Sequence, residues 1–394
     1  MRIAVLSPFI DRRHGTERAV AELVERLAAK YGHEIHLYSH RVEDLQVSAE
    51  PNSSSTWKAG IYFHRVPRLG GPLLFDFPFW ILMNRLCRVW DSRRGIRFDV
   101  VFSPGINALD ADMVQVHVVF QRLAELQSGR KERGLRALHR AFYYAMLCFL
   151  ERRVYRRKSL RLAVVSPHTA KQMAQYFARE DLQIIPYGVD FSHFSRSARL
   201  ALRSEARSKL QYSSDDIVLL LIGNDLRNKG LPVLLEALNL LRDLPWKLCV
   251  VGSDATAEFQ GVIARMNFDK RVHFCPETSD ILSFYAAADI YTAPSLEDSF
   301  NLPVLEAMAC GVPVMVSVKA GVSEFLADGV DGILLTEPEN AELLAKKLSG
   351  LLQGHEQSRE LREKLGASGE KKARTFTWDR HAELVEDMLV TMNQ

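Results

Sequence analysis

Short apolar runs of β character alternate with longer stretches of helical period along this chain, and the alternation runs its course twice. Runs at 3–7, 35–39, 61–66, 100–103, 113–117 and 162–166 make the first series; runs at 217–222, 247–251, 272–275, 290–293, 314–317 and 333–335 make the second. Between the first two runs, Ala19, Val20, Leu23, Leu27 and Ala28 fall on one face of a helix, and 231–241 and 280–287 repeat the pattern later. Such alternation belongs to parallel sheets covered by helices. The expected class is therefore α/β, with two Rossmann-like, doubly wound domains at 1–186 and 216–375. The polar, Ser- and Arg-rich stretch 187–215 carries no strand signal and reads as a linker. Two such domains imply a central cleft, faced by the carboxyl ends of their strands. The tail 376–394 reads as an amphipathic helix assigned to the N-terminal domain, although its period alone does not say which domain it covers.

At 394 residues the chain exceeds one ordinary core and suits two domains. A net charge of +3 gives no reason to expect a nucleic-acid partner. No apolar run approaches the ~20 residues that span a bilayer; the uncharged stretch 141–150 is half that length and lies between arginine clusters. The opening MRIAVLSPFIDRR enters a strand at once and lacks the pattern of a secretory signal. The five cysteines are scattered without a CxxC pair, which suits small core residues in a reducing compartment rather than a zinc site or a disulfide framework. A cytoplasmic setting is expected.

Segment 294–314, PSLEDSFNLPVLEAMACGVPV, reads as strand end, polar loop, helix, glycine stop and strand start. Asn301 suits an N-cap, Pro303 the first turn and Gly311 a left-handed helix end. The loop 298–302 thus offers backbone N–H groups at a helix N-terminus, an anion site. Glu306, a turn further, can aim its carboxylate at the same mouth, as carboxylates do when they accept from both hydroxyls of a ribose. Equally, Glu306 can serve only the helix dipole and Asp298 only as a cap.

The run at 217–222 ends in GNDLRNKG, residues 223–230, ahead of the helix LPVLLEALNLL. Glycines at both ends allow a tight turn and close approach to a ligand, while Arg227 and Lys229 can set positive charge against a diphosphate. Alone, this is a strand–helix loop with surface cations; two such loops in one Rossmann-like domain make a stronger case for a ligand.

With these motifs the chain resembles the GT-B-fold glycosyltransferases of family 4, the large group of retaining sugar transferases. EDSFNLPVLEAMACGVPV is similar to that family's paired-acid signature, GNDLRNKGLPVLLEAL to its phosphate-binding loop and AGVSEFLADGVDGILL to the stretch that follows. HGTERAVAEL, QVHVVF, VVSPHTAKQM and IIPYGVD add echoes in the first half, in the family's order. The resemblance implies that Glu306 binds the donor ribose, that Asp298 lies near the transferred sugar and that Lys229 neutralises the leaving diphosphate. It also implies that Gly15 lets the backbone approach donor or acceptor, that His117 lies near the anomeric carbon, and that the backbone of Ser299, Phe300, Asn301 and Leu302 holds sugar hydroxyls or phosphate. Two positions depart from the pattern. The family's first acid is usually Glu, seven residues before the second; that spacing selects Asp298, with Glu297 one step away, and either can supply the carboxylate. After Gly223 the family usually has Arg, where this chain has Asn224; Arg227 stands in the same loop.

The chemistry suits the residue types. Loss of a nucleoside diphosphate leaves positive character on the sugar and negative charge on phosphate, which Lys229, Arg227 and a helix N-terminus would stabilise. A cationic clamp can replace a divalent metal, so neither metal nor cofactor is expected, the nucleotide-sugar being a substrate. Retention is implied by the resemblance, and no residue identifies a covalent nucleophile. His117 reads as an acid–base group or as a hydrogen-bonded histidine at a strand end. The donor would be UDP- or GDP-linked and the acceptor a saccharide or a lipid-linked molecule, in synthesis of surface polysaccharide, lipopolysaccharide or glycolipid. Around AFYYAMLCFL cluster Arg130, Lys131, Arg133, Arg136, Arg140, Arg152, Arg153, Arg156, Arg157, Lys158 and Arg161, so that 130–161 reads as a core helix with solvated ends or as a peripheral membrane contact. The apolar stretch 72–83 reads as a core helix, a lid over the acceptor or a further membrane contact. A catalytically silent nucleotide-sugar-binding subunit, or an epimerase or phosphorylase of the same fold, stays open. A NAD-dependent dehydrogenase does not fit, since no GxGxxG follows the first strand.

Overall fold

The computed structural model describes residues 1–48, 58–128, 134–252 and 256–392. The chain divides into two compact units, Met1–Tyr187 with Trp378–Gln394, and Gly188–Thr377.

Unit 1 runs β1 (Arg2–Leu6), β2 (Phe9–Ile10), α1 (Gly15–Ala29), β3 (Glu34–Ser39), β4 (Arg41–Val42), β5 (Gly60–Arg65), α2 (Leu73–Arg93), β6 (Val100–Pro104), β7 (Met113–Val116), α3 (Phe120–Ser128), α4 (Leu135–Tyr155), β8 (Arg161–Val164), α5 (Pro167–Phe177) and β9 (Leu182–Ile184). Seven strands form one sheet in the order β5-β3-β1-β6-β7-β8-β9, with every neighbouring pair parallel. Alternate residues of each strand face opposite sides. Ile3 and Val5 point into a layer with Val20, Leu23 and Leu27 of α1, while Ala4 and Leu6 point into a layer with Trp80 of α2 and Leu147 of α4.

Unit 2 runs α6 (Arg196–Lys209), β10 (Ile217–Ile222), α7 (Leu231–Leu240), β11 (Trp246–Val251), α8 (Ala257–Met266), β12 (Val272–Cys275), α9 (Leu282–Ala287), β13 (Ile290–Ala293), α10 (Leu302–Ala309), β14 (Val314–Ser317), a 3-10 turn at Gly321–Phe325, β15 (Ile333–Leu335), α11 (Ala341–Leu352) and α12 (Glu356–Ala373). Its six-stranded sheet has the order β12-β11-β10-β13-β14-β15 and is also parallel throughout. Leu219, Leu221, Leu248 and Val250 pack on one side against Leu234 and Leu238 of α7 and Leu344 and Leu348 of α11.

Two segments differ from the sequence expectation or complete it. The stretch read as a linker, 187–215, contains α6, which is built into unit 2. Ser195 accepts from the Ala198 N–H to cap its start. Arg199 donates to the Tyr285 and Ala288 carbonyls, Arg203 to that of Ala286 and Arg207 to that of Ala287, while Arg203 and Arg207 also meet Asp289. The arginines that gave the stretch its solvated look are the fork-shaped donors that satisfy the open carbonyls at the end of α9. The tail forms α13 (Trp378–Met392) in unit 1, where Ala382, Val385 and Leu389 share a core with α1. Arg26 to Asp379 at 2.6 Å and His33 to Glu386 at 2.6 Å fix it along that helix.

Candidate functional site

Within the sheet of unit 2, β10 and β13 lie side by side, yet the chain steps outward from β10 through β11 to β12 and from β13 through β14 to β15. Connections that part in opposite directions leave a crevice at the carboxyl edge of the sheet, where open parallel sheets hold their ligands. The loop 223–230 follows β10 and the loop 294–301 follows β13. Topology alone therefore brings the two sequence motifs of this half to one crevice.

Hydrogen bonds join the two loops. The Leu296 N–H donates to the Asn228 carbonyl at 2.8 Å, and the Asn228 side-chain amide donates to the Glu297 carbonyl at 2.8 Å. Asp225, in the left-handed region at φ 51°, accepts the Asn228 N–H on its carboxylate. Gly230 takes φ +81° and sits so close to the Pro294 carbonyl that a Cβ there would collide with its oxygen. Only glycine meets both demands.

This junction sets Lys229 against Asp298, Nζ to Oδ2 at 2.5 Å. Asp298 is held from its other side as well: its Oδ1 accepts the Phe300 N–H at 3.1 Å, its own N–H donates to the Lys319 carbonyl, and its carbonyl accepts from the Gly321 N–H. Of the two neighbouring acids, the one paired with Lys229 is thus Asp298. Glu297 is buried and serves the junction through its carbonyl. Glu306, one turn into α10, is also buried, and its Oε2 accepts the Tyr285 hydroxyl at 2.7 Å. Burial together with the Glu306 charge pushes the Tyr285 phenol well above its ordinary range, so it stays a donor at any working pH.

Asn301 occupies the N-cap position of α10 at φ 75°, but its side chain does not cap the helix. Its amide donates weakly to Ser295 Oγ at 3.4 Å, and its buried Oδ1 finds no partner among the described residues. Phe300 packs beneath the loop against Phe325, Leu302 is buried, and Ser299 is half-buried at the loop's outer side. Gly223 closes the end of β10 through its N–H to the Val251 carbonyl, and Asn224 is exposed beside Gly252. Arg227 turns away to Glu258, with Nε–Oε2 at 3.0 Å and Nη2–Oε2 at 2.9 Å, and lies over the Phe259 ring. Within the two loops, Lys229 thus pairs with Asp298, while Arg227 pairs with Glu258 at the start of α8.

The two site residues expected in the first half belong to unit 1. Gly15 opens α1, and neither a positive φ nor a neighbour within 4 Å demands glycine there. His117 follows β7 and is buried; its Nδ1 pairs with the Tyr187 hydroxyl, and the two rings stack at 5.7 Å. Burial, with His381 close by, pushes its pKa down to about 3. The ring is therefore neutral at physiological pH, and its buried Nε2 has no partner among the described residues. An imidazolium acid is therefore disfavoured here, and a Tyr187 hydroxyl that donates to Nδ1 would leave the proton on Nε2.

Sequence reasoning missed Asn228, Tyr285, Tyr187 and Glu258, which respectively join, orient, polarise and divert the residues it had found. Asn228 stood inside the quoted loop and Tyr187 inside the quoted IIPYGVD, though neither was given a role; Tyr285 and Glu258 come from distant elements and gave no local signal. Among the described residues, no group of three or more His, Cys, Asp or Glu side chains gathers that could hold a metal ion. No helix among them is long and apolar enough to cross a membrane. Arg130, Lys131 and Arg133 of the basic cluster lie outside the described residues.

Two parallel, doubly wound units, the second with a lysine–acid pair at its switch point, have the architecture of the GT-B fold. The solved structure of WaaG, a glycosyltransferase involved in lipopolysaccharide biosynthesis, has the same fold, with TM-score 0.78 and 22% identity over 98% of this chain and 99% of that one. Anabaena HepE, solved in complex with UDP and glucose, aligns with TM-score 0.71 and 17% identity over 99% of this chain and 100% of that one. The family described as Glycosyl transferases group 1 matches residues 203–372, and Glycosyltransferase Family 4 matches residues 13–193. The chain belongs to this glycosyltransferase family. Among curated relatives, a D-inositol 3-phosphate glycosyltransferase of Geodermatophilus obscurus is 29% identical over 236 residues, 56% of this chain and 50% of that protein. The lipopolysaccharide glucosyltransferase WaaG of Escherichia coli is 26% identical over 200 residues, 48% of this chain and 52% of that protein. The chain thus spans about half the length of the curated relatives it matches.

Proposed function

We propose that this protein transfers a sugar from a UDP- or GDP-linked donor to a saccharide or lipid-linked acceptor, with retention at the anomeric carbon, in the synthesis of a surface polysaccharide, lipopolysaccharide or glycolipid. The observation that carries the reading is the Lys229–Asp298 pair, set by two hydrogen-bonded loops at the β10/β13 switch point with Glu306 one turn into the adjoining helix. A diphosphate reaching this crevice meets the Lys229 ammonium and the start of α10, both of which favour negative charge. As the bond to the sugar breaks, that charge grows on the departing phosphate, so the same groups favour the transition state over the bound donor. Asp298 would then accept from a hydroxyl of the transferred sugar and Glu306 from the ribose. The neutral ring of His117 would donate from Nε2 to the donor or acceptor, not act as a charged acid. The lysine supplies the counter-charge that a divalent metal would otherwise bring, and the donor is a substrate rather than a resident cofactor. The lipopolysaccharide glucosyltransferase among the curated relatives favours a surface-glycan acceptor, while the D-inositol 3-phosphate glycosyltransferase is compatible with a small phosphorylated one.

The test is calorimetry of the purified protein against UDP, GDP, ADP and their common sugars without added metal, with Glu306→Ala and Glu306→Gln as controls. One nucleotide should bind, both variants should weaken it, and NMR of the product of turnover should show the donor's anomeric configuration kept. Binding without turnover on any offered acceptor would favour a nucleotide-sugar-binding subunit instead. Absence of binding to every nucleotide would remove the donor assignment of 223–230.

A further inference from the structure

The segment that carries Tyr187 to His117 is tied to the last helix of the chain. After β9 the chain passes Ile185, Pro186 and Tyr187, where it leaves unit 1, and it returns at Trp378, the first residue of α13. Ile185 is anchored to the sheet, its N–H donating to the Val164 carbonyl at 2.8 Å, and its side chain shares a core with Ala382 and Val385 of α13. Pro186 has no N–H to offer, only a carbonyl, and that carbonyl accepts from His381 Nδ1 at 2.9 Å. The Tyr187 ring stacks on His117 at 5.7 Å and meets His381 and Trp378 at 5.9 Å each, while Trp378 and His381 touch edge to face at 5.5 Å. All of these rings are buried.

The two histidines of the cluster differ in what fixes their protons. A carbonyl can only accept, so His381 carries a proton on Nδ1; burial pushes its pKa down to about 4, and the neutral ring keeps a lone pair on Nε2. The partner of His117 is a hydroxyl, which can donate or accept, so the placement of that hydroxyl decides which nitrogen of the neutral ring is protonated. Nε2 of both histidines is buried without a partner among the described residues, which costs stability and calls for an explanation beyond packing. The ion pairs of α13 with Arg26 and His33 of unit 1 hold the helix that presents His381. A continuous path of packed and hydrogen-bonded groups thus runs from the tail helix through His381, Pro186 and Tyr187 to His117.

We propose that His381 is a positioning residue for sugar transfer: by holding the Pro186 carbonyl it sets the Tyr187 hydroxyl against Nδ1 of His117, and so fixes the orientation and tautomer of that ring. The tail helix, remote in sequence from every motif of the site, then belongs to the reaction machinery of unit 1. This role rests on the participation of His117 in the transfer.

The test compares His381→Leu, which removes the donor at similar volume, with His381→Asn, whose amide can place an N–H where Nδ1 stood. His381→Leu should lower kcat by about three- to tenfold, the effect of one hydrogen bond, and leave nucleotide affinity unchanged because the donor loops lie in unit 2. His381→Asn should regain most of the lost rate. His381→Gln, with its amide where Nε2 stood, should behave as His381→Leu and stands in for it should the apolar variant unfold in urea controls. Because His381 acts through Tyr187, His381→Leu combined with Tyr187→Phe should be no slower than Tyr187→Phe alone. Proton–nitrogen NMR of the ring nitrogens reads the His117 tautomer without turnover: one form in wild type and His381→Asn, a mixture in His381→Leu. The proposal is overturned if His381→Leu keeps the wild-type kcat and His117 spectrum, if the two substitutions multiply, or if His381→Asn is as slow as His381→Leu. A slow His117→Ala beside a fast His381→Leu would overturn the positioning role alone, whereas wild-type turnover in His117→Ala would overturn the role of His117 and this one with it.

Discussion

Removing the Lys229 ammonium and removing the Asp298 charge should move nucleotide affinity in opposite directions. In the free protein the two groups stand 2.5 Å apart with side-chain exposures of 19% and 15%, so neither is well screened by water. Two unit charges about 4 Å apart, at an effective dielectric of about 20, interact by about 4 kcal/mol. Desolvation offsets much of that, and a hydrogen bond to a charged group nets about 1.5–3 kcal/mol. At about 1.4 kcal/mol per decade, Lys229→Met should therefore weaken nucleoside diphosphate binding by about 10- to 150-fold. Asp298→Asn lifts a negative charge from beside the phosphates and frees the lysine from its partner. That variant should bind the bare nucleotide as well as wild type or a few-fold better, while sugar transfer drops by at least about tenfold through the lost charge-assisted contact to the sugar. Calorimetry with the bare nucleotide at low and high salt, beside initial rates with the sugar donor, separates the two effects. Wild-type affinity in Lys229→Met, or equal weakening in both variants, would refute the reasoning, because the pair would then not divide into a phosphate ligand and a sugar ligand.

The junction of the two loops predicts that Gly230→Ala, forced to φ +81° and into the Pro294 carbonyl, destabilises unit 2 by about 2–5 kcal/mol and abolishes nucleotide binding. Urea unfolding checks this, with Gly261→Ala, exposed inside α8 and with nothing within 4 Å, as a control that should stabilise by about 0.5–1 kcal/mol. Three of the buried histidines of unit 1 are held below their ordinary range, with burial pushing His36 and His381 to about 4 and His117 to about 3. Their folded pKa values lie below the unfolded value near 6.5, so the unfolded chain binds more protons and stability falls as pH drops from about 6.5 towards 4, by on the order of 3 kcal/mol per histidine. Hydrogen exchange at pH 7 and pH 5 should show unit 1 losing protection first; earlier loss in unit 2 would contradict this. Tyr187→Phe should lower turnover several-fold with little change in nucleotide affinity, since it removes only the hydroxyl that sets the His117 tautomer; an unchanged pH profile and rate would take the pair out of the reaction.

The sheets were legible because a strand buried on both faces has to be continuously apolar, and 217–222 or 314–317 can hardly be anything else. The pairs β2 and β4, at two residues each, are too short to leave a period. Strand β9 follows an acidic turn and presents only half-buried or exposed residues, so it too gave no pattern. The α6 arginines misled because a residue type does not say whether its donors meet water or the carbonyls of a helix elsewhere. The polar face that α2 buries hid for a similar reason: Asp76, Asn84, Arg88 and Asp91 find their partners on loop 70, on Asn107 and Asp110, and on β3 and β5. The motifs at 223–230 and 294–301 announced a ligand site, because glycine, lysine and acid at fixed offsets are a local pattern. Which acid meets the lysine was a matter of one residue's rotation along the loop, and only the fold decides it.

The hydrogen bonds between Asn228 and the 296–297 backbone carry a lesson for recombination. Segments 223–230 and 294–301 lie far apart in sequence yet behave as one part, so a chimera that exchanges either alone brings mismatched halves to the seam. Transplanting donor preference between relatives of this chain would require moving both stretches together, with the glycine at 230 and the proline at 294 as matched ends of the graft.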